Sequence, residues 1–168
     1  MATLPNLIAS LTATDMLTEA DYADAHSHAE PLKLEIFEHL RGLPSAYFVQ
    51  LATDNRNAPL IQAGEIVVAD QGGAQRGGWF PVEGGLFVIE YNGGLNDYPD
   101  QRYPRVSHDI VQTFRDHKGD WWAGGLRRGV VGKTVYCACG PYRDEMHLAG
   151  KLIGRVVGIY QPACGECG

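Results

Sequence analysis

The four cysteines of the chain lie in two close pairs near its C-terminus. Cys137 and Cys139 form a C-x-C, and Cys164 and Cys167 form a C-x-x-C. Four thiolates in two such pairs match the tetrahedral ligand set of a structural zinc ion. A zinc site of this kind has no open coordination position, so it would stabilise the fold and would not catalyse a reaction.

The spacing of the first pair leaves other uses of the cysteines open. Cys137 and Cys139 fall on a predicted strand, where they share a face but lie nearly 7 Å apart, at ~3.3 Å per residue. A turn or bulge at Cys139-Gly140 would be needed to bring both thiolates onto one ion. The alternatives are unliganded thiols, a disulfide or redox-active pair at Cys164 and Cys167, or an iron–sulfur cluster.

Histidines beside carboxylates form two further clusters. His26 and His28 are two apart on a predicted helix and face different ways, so a solvated helix surface is the interpretation we favour. His147 follows Asp144 and Glu145 in a predicted loop. Acid–base chemistry there would need a partner that the sequence does not identify.

Two pairs of adjacent aromatic residues could contribute to a binding surface: Trp79-Phe80 and Trp121-Trp122. Adjacent residues on a strand point to opposite sides, so one member of each pair is expected in the core and the other partly exposed. An exposed tryptophan is typical of protein–protein interfaces. Trp121 and Trp122 are therefore candidate partner contacts, with core packing as the interpretation we favour.

The elements that must position these residues are mostly strands. Short alternating runs separated by glycine pairs predict a closed or folded-over antiparallel sheet. The stretch RDHKGDWW predicts a hairpin with a Lys-Gly-Asp turn. The predicted strands cover residues 46–53, 65–70, 86–92, 106–116, 120–124, 130–138 and 152–160.

Residues 1–45 are predicted to be a helical N-terminal segment, and residues 46–168 a β domain with the cysteine-containing tail. A first helix would follow Thr14 or Asp15 as its cap. A second would run from Pro31 to Gly42. Its apolar residues recur at intervals of three or four, which is typical of one helix face; they are Leu32, Ile36, Phe37 and Leu40.

The segment from Tyr47 to Asp70 resembles the catalytic segment of the LexA, lambda-type phage repressor and UmuD peptidases. In that family a strand leads to S-M-x-P-x-I-x-x-G-D and then to an apolar run ending in Asp. Pro59, Ile61 and Gly64 match this pattern, Glu65 replaces the Asp, and IVVAD follows. The stretches GGLFVIEYNGG, VSHDIVQTFRDHKGDWW and LAGKLIGRVVGIYQP resemble the later strands of the same family.

The resemblance implies a LexA-type, signal-peptidase-like β body, but the catalytic residues differ. Arg56 stands where the family has its nucleophilic Ser, and Asn57 where it has Met. The family's Lys should fall in QRYPRVSHD, which contains no lysine, and an arginine stays charged and cannot act as a general base. Arg56 is either a ligand or partner contact or, in the interpretation we favour, a solvated turn residue.

The resemblance then implies a catalytically inactive protein that acts in regulation, as an adaptor through dimerisation and protein–protein contacts. A phage or mobile element is an expected source, with transcription regulation as the setting. The alternatives are an active peptidase with a non-standard nucleophile, such as Thr53 or a cysteine, and a zinc-stabilised binding module.

Composition narrows the possible partners. The net charge of −6 gives no basic stripe, and residues 1–45 are too short for the family's DNA-binding module, so direct nucleic-acid binding is not expected. No apolar run reaches the roughly 18 residues of a spanning helix, and the N-terminus lacks the features of a secretory signal. We expect a cytoplasmic homodimer with a protein partner.

Overall fold

A computed structural model of the chain describes residues 32–72, 79–93, 105–128 and 134–163. This part of the chain is mainly β, as the sequence predicted, and contains eight strands and one short helix. The elements are β1 (Glu35–Phe37), β2 (Tyr47–Leu51), β3 (Ile66–Asp70), β4 (Leu86–Gly93), β5 (Arg105–Arg115), β6 (Trp121–Arg128), β7 (Thr134–Tyr142), α1 (Glu145–Ala149) and β8 (Leu152–Tyr160).

The strands form one sheet in the order β2-β3-β8-β4-β5-β6-β7, with β1 added to β8. All neighbours are antiparallel except β1 and β8, which are parallel. β3 lies along one edge of β8. The other edge is shared, because β4 pairs with residues 152–155 and β1 with residues 158–160.

Successive side chains of the central strands point alternately to the two faces of the sheet, and each face carries a hydrophobic core. On β4, Leu86 and Val88 belong to one core, and Phe87 and Ile89 to the other. Neighbouring strand residues point to opposite faces, so a strand covered on both sides is apolar at every position. All four of these side chains are at most 1% exposed.

The second predicted helix, Pro31 to Gly42, is wrong in its described part, because residues 35–37 form strand β1. Phe37 lies opposite Tyr160 on β8, and its ring covers Gly158, where a Cβ would come within 2.5 Å of it. Spacing of three or four residues predicted a helix, but pairing with β8 overrides that local preference. The first predicted helix lies outside the described residues.

The seven strands predicted from residue 46 onward are all present, with bounds that differ by a few residues. The predicted hairpin between β5 and β6 is also confirmed. Gly119 in its turn has φ = 85°, which glycine adopts without the steric cost of a side chain. Within the described residues, no helix is long and apolar enough to cross a membrane.

The loop between β2 and β3 contacts a strand that lies farther along the sheet. Two strands, β8 and β4, separate the β2–β3 pair from β5 in the sheet order. Even so, the loop of residues 52–65 between β2 and β3 contacts β5, where Asn57 Nδ2 donates to the Ile110 carbonyl at 2.8 Å. This contact links the turn between β2 and β3 to a strand that lies beyond β8 and β4 in the sheet.

Candidate functional site

The loop of residues 52–65, which we call the turn loop, is closed by hydrogen bonds at its base. The Ala52 amide donates to the Glu65 carbonyl, and the Gly64 amide donates to the Ala52 carbonyl, both at 2.8 Å. Gly64 has φ = 92°, a left-handed conformation that favours glycine. Ile61 is fully buried in the first core and anchors the loop from within. The turn loop is therefore a fixed part of the fold.

Arg56 in the turn loop is held between two carboxylates. Its Nη2 lies 2.7 Å from Asp54 Oδ2, and its Nη1 lies 3.2 Å from Asp109 Oδ2 on β5. Its Nε also donates to both carboxylate oxygens of Asp54, at 2.9 and 3.0 Å. Only 14% of the Arg56 side chain is exposed. The interpretation of Arg56 as a solvated turn residue is therefore wrong, because its charge is matched inside the structure.

Asn57 fills a gap between β5 and β6. These strands pair only from Gln112 to Arg115 on β5, so the carbonyl of Ile110 lies beyond the β5–β6 ladder. The Asn57 side chain is buried and donates to that carbonyl. On the β6 side, a Cβ on Gly125 would lie 2.6 Å from the Arg56 carbonyl oxygen. The turn loop thus occupies the split between the two strands.

The composition of this turn limits its chemistry. Residues 54–57 read Asp-Asn-Arg-Asn, which offers neither hydroxyl nor thiol as a nucleophile. Thr53 is exposed just before them. The described lysines lie in other elements: Lys33 lines a cleft, Lys118 is in the β5–β6 turn, and Lys151 precedes β8. A guanidinium between two carboxylates can neither attack a carbonyl nor accept a proton.

The sequence did not identify Asp54, Asp109 and Gly125 as part of this site. Asp109 had one available signal, because it ends the stretch QRYPRVSHD in which a family-type lysine was sought. That stretch supplies an acid that pairs with Arg56. The close approach of Gly125 to the turn loop had no signal in the sequence.

Only part of the predicted four-cysteine zinc site lies within the described residues. Cys139 lies on β7 as an exposed free thiol, with Ala123 as its cross-strand partner. The ladder is regular from Cys137 to Cys139 and shifts register only after Cys139, before Tyr142. Cys137 pairs with Gly125 through β7, while Cys164 and Cys167 lie outside the described residues. Zinc binding by the four cysteines stays a prediction.

Two tyrosines lie beside Cys139 at the second core. Burial, reinforced by the nearby Cys139 thiol, raises the pKa of the Tyr142 hydroxyl to about 12. The same causes, with the Asp109 carboxylate contributing, raise the pKa of the Tyr91 hydroxyl as well. Tyr91 Oη is buried and has no partner of hydrogen-bonding geometry among the described residues. Both hydroxyls are poor proton donors at neutral pH.

His147 is in a helix, and the predicted loop there is wrong. Asp144 is the N-cap of α1, and its side chain accepts a hydrogen bond from the His147 amide at 2.7 Å. This bond is the main cause that lowers the pKa of the Asp144 carboxyl, followed by its contacts with Arg143. The His147 ring packs edge-on against Tyr142. The cluster therefore has a structural explanation as a helix cap. His26 and His28 lie outside the described residues.

Trp121 and Trp122 are both buried, at 6% and 8% exposure, so neither is a surface partner contact. Trp121 belongs to the second core, and the Arg115 guanidinium covers its ring at 4.5 Å. Trp122 Nε1 donates to Asp116 Oδ2 in the hairpin turn. The expected division into a core and an exposed residue is wrong for this pair. It holds for the other pair, because Trp79 packs on the second core while Phe80 is 60% exposed.

A cleft of about 690 Å³ lies where β1 and β4 diverge from β8. Its charged lining is mixed, because Lys33 and Arg155 face the same space as acidic side chains. Its described lining contains no serine, threonine, cysteine or histidine. The acidic residues are Glu35, Asp70 and Glu83.

In the part of the chain that the structure describes, no three His, Cys, Asp or Glu side chains are grouped closely enough to hold a metal ion. No protein-family model, curated protein or solved structure matches the chain.

Proposed function

We propose that this protein is a catalytically inactive member of the LexA, lambda-type repressor and UmuD group. It would act as a regulatory or adaptor module through dimerisation and protein–protein contacts. The proposal joins the resemblance of residues 47–70 and of the later strands to the geometry of the turn loop.

The ion pair between Arg56 and Asp109 is the observation that carries this proposal. By the resemblance, Arg56 replaces the nucleophile, and Asp109 ends the stretch in which the lysine base is expected. Self-cleavage in such a peptidase needs a hydroxyl and a neutral amine in contact. Here the corresponding contact joins a guanidinium and a carboxylate at 3.2 Å. A pair of permanent opposite charges stabilises the turn and supplies neither nucleophile nor base.

The surroundings of Arg56 support the same proposal. Asn57 is buried and bonded to β5, so the turn cannot present a different side chain without breaking that contact. The nearest hydroxyl, on Thr53, belongs to the residue that precedes Asp54. The turn is thus built around a structural charge pair.

Incubation of the purified chain at about pH 9.5 tests the proposal, since high pH deprotonates a lysine base. We expect the chain to remain intact by mass spectrometry. The pH stays below the range in which Tyr91 and Tyr142 would ionise, so the fold is retained during the assay. Thr53→Ala and Cys139→Ser are the matched variants. Internal cleavage that either substitution abolishes would overturn the proposal in favour of an active peptidase.

A zinc-stabilised module is a second proposal, supported by the free, exposed thiol of Cys139 on β7. Its ligands would be Cys137, Cys139, Cys164 and Cys167. Elemental analysis under reducing conditions should find one zinc ion per chain in the wild type and a clear loss in Cys139→Ser. Metal-free wild-type protein would exclude a zinc role.

A further inference from the structure

The cleft between β1 and β4 has the size of a small-molecule site. Its volume of about 690 Å³ lies within the roughly 300–1,000 Å³ that is typical of ligand pockets. It opens where the pairing of β4 with β8 ends at Arg155 and that of β1 with β8 begins at Gly158. Val156 and Val157 of β8 line it between these two points. One wall of the cleft is therefore part of the sheet.

The two basic residues of the cleft have no carboxylate partner within the described chain. Lys33 and Arg155 both line the cleft and are both exposed. Neither side chain forms an ion pair with a described residue, although Asp70 lies directly opposite Arg155 on β3. The N–H donors of both side chains are therefore available to a ligand that carries acceptor atoms.

The acidic residues of the cleft are mostly engaged by other groups. Asp70 Oδ1 accepts a hydrogen bond from the Gly72 amide at 2.7 Å. Glu83 Oε1 lies 3.6 Å from the Nε of Arg115, which is not among the described lining residues. Glu35 is the remaining carboxylate of the described lining. A ligand that supplies acceptors thus fits the cleft better than one that supplies donors.

Apolar surface lies beside these charges. Leu32, Trp79 and Val82 line the same cleft, and Val82 is 50% exposed. The Trp79 ring is fixed in place, because its Nε1 donates to the Asp70 carbonyl at 2.9 Å and the ring packs against the second core. Ligand sites commonly combine apolar walls with a few polar groups that orient the ligand.

We propose that this cleft binds a small organic anion. A carboxylate or phosphate group lies between Lys33 and Arg155, and an apolar body contacts Trp79 and Val82. Arginine binds either group through two parallel hydrogen bonds, and lysine adds a second positive charge. None of the described lining residues belongs to the turn loop, so the site is separate from the region that the proposed function concerns.

Titrations followed by amide NMR spectra test the proposal, with phenylacetate and phenyl phosphate as probes and benzyl alcohol as the neutral reference. Either anion should shift the amides of the cleft in a saturable way, and comparison of the two distinguishes a carboxylate from a phosphate site. Lys33→Gln and Arg155→Gln should each raise the dissociation constant roughly fivefold, the effect of one partly exposed ion pair. Glu35→Gln should lower it, because a repelling charge is removed.

Lys118→Gln is the matched control, because Lys118 is an exposed lysine in the β5–β6 turn and does not line the cleft. Its affinity for both probes should equal that of the wild type. The proposal is overturned if neither anion shifts the cleft amides, if benzyl alcohol binds equally well, or if Lys118→Gln weakens binding as much as Arg155→Gln. The opposite effect expected of Glu35→Gln separates a charge contact from a general loss of folding.

Discussion

Strand β2 and the turn loop that follows it are adjacent in the sequence, yet they distribute polar and apolar side chains in opposite ways. β2 exposes Val49 and Leu51 to solvent, whereas the turn loop encloses Arg56 and Asn57. In the turn loop, the Arg56 guanidinium and the Asn57 Nδ2 each have a specific partner on β5, while the buried Asn57 Oδ1 has none among the described residues. On β2 the exposed apolar groups have none within the described chain. The difference separates a region that encloses polar side chains from one that exposes apolar side chains.

Removal of the Arg56 charge should have the largest effect on the free energy of unfolding. Arg56→Ala leaves Asp54 and Asp109 without their shared cation, and should lower the free energy of unfolding by about 2–3 kcal/mol. The value lies below that of a fully buried pair because the two carboxylates are 27% and 26% exposed. Urea denaturation measures it. Arg143→Ala is the control, since that side chain is 84% exposed; equal behaviour of the two variants would contradict the internal role.

The close approach of the turn loop to β6 should give the next largest effect. In Gly125→Ala the new methyl group would lie 2.6 Å from the Arg56 carbonyl, so the turn loop must shift. We expect a loss of about 2 kcal/mol in unfolding free energy. Gly150→Ala is the matched control, because its Cβ would meet only ordinary contacts from 3.5 Å outward. A neutral Gly125→Ala would show that the turn loop can separate from β6 freely.

The hydrogen bond of Asn57 should contribute less than either feature. Asn57→Ala leaves the Ile110 carbonyl without this donor, which should cost about 1–2 kcal/mol. Asn55→Ala removes a similar bond at an exposed position, where water can replace it, so its loss should be smaller. Thermal unfolding of both variants compares them. A larger loss for Asn55→Ala would place the main anchor of the turn loop at its solvent side.

The burial of the Tyr142 hydroxyl in the second core predicts that the stability of the protein depends on pH. The unfolded chain releases the Tyr142 proton near pH 10, whereas the folded chain holds it until about pH 12. The unfolded state therefore binds fewer protons between these values, and stability falls as pH rises through them. From pH 9.5 to 11 Tyr142 should account for about 0.5–1 kcal/mol of lost stability after solvent screening. Denaturant titrations should show a smaller loss in Tyr142→Phe, and equal losses would contradict the burial of this hydroxyl.

A substitution of the exposed Val49 on β2 should have the smallest effect on folding stability. Val49→Thr keeps the branched shape and β propensity while removing apolar surface that lies outside the core. We expect its unfolding free energy at low protein concentration to stay within about 0.5 kcal/mol of the wild type. Tryptophan fluorescence is sensitive enough for dilute samples. A loss comparable with that of Asn57→Ala would mean that Val49 packs within its own chain.

The strands from residue 46 onward could be predicted because the alternation of apolar and polar residues, and the glycines in the turns, can be recognised within short stretches of sequence. Residues 35–37 were predicted as a helix because apolar residues recur there every three or four positions. They form a strand because they pair with β8, which is distant in the sequence. A glycine at position 158 creates the space for the Phe37 ring. That relation joins residues at opposite ends of the described chain, and only the folded sheet reveals it.

The sequence predicted which residues form the candidate site, but it did not predict which side chains and backbone groups surround them. The resemblance singled out Arg56 and Asn57, yet their burial depends on Asp109 and Ile110, which follow 53 residues later in each case. The burial of both Trp121 and Trp122 likewise depends on cover from Arg115 and Asp116. Alternation along one strand cannot show whether its second face is covered.

The position of β8 in the sheet has a consequence for how the chain reaches its final form. Among the described strands, β3 and β4 are joined in the sheet only through β8, which is the last of these strands in the sequence. During synthesis, the β2–β3 pair and the β4–β7 strands emerge from the ribosome before the strand that connects them. A translation product that stops short of residue 152 would leave the facing edges of β3 and β4 open, and open strand edges favour pairing with other chains.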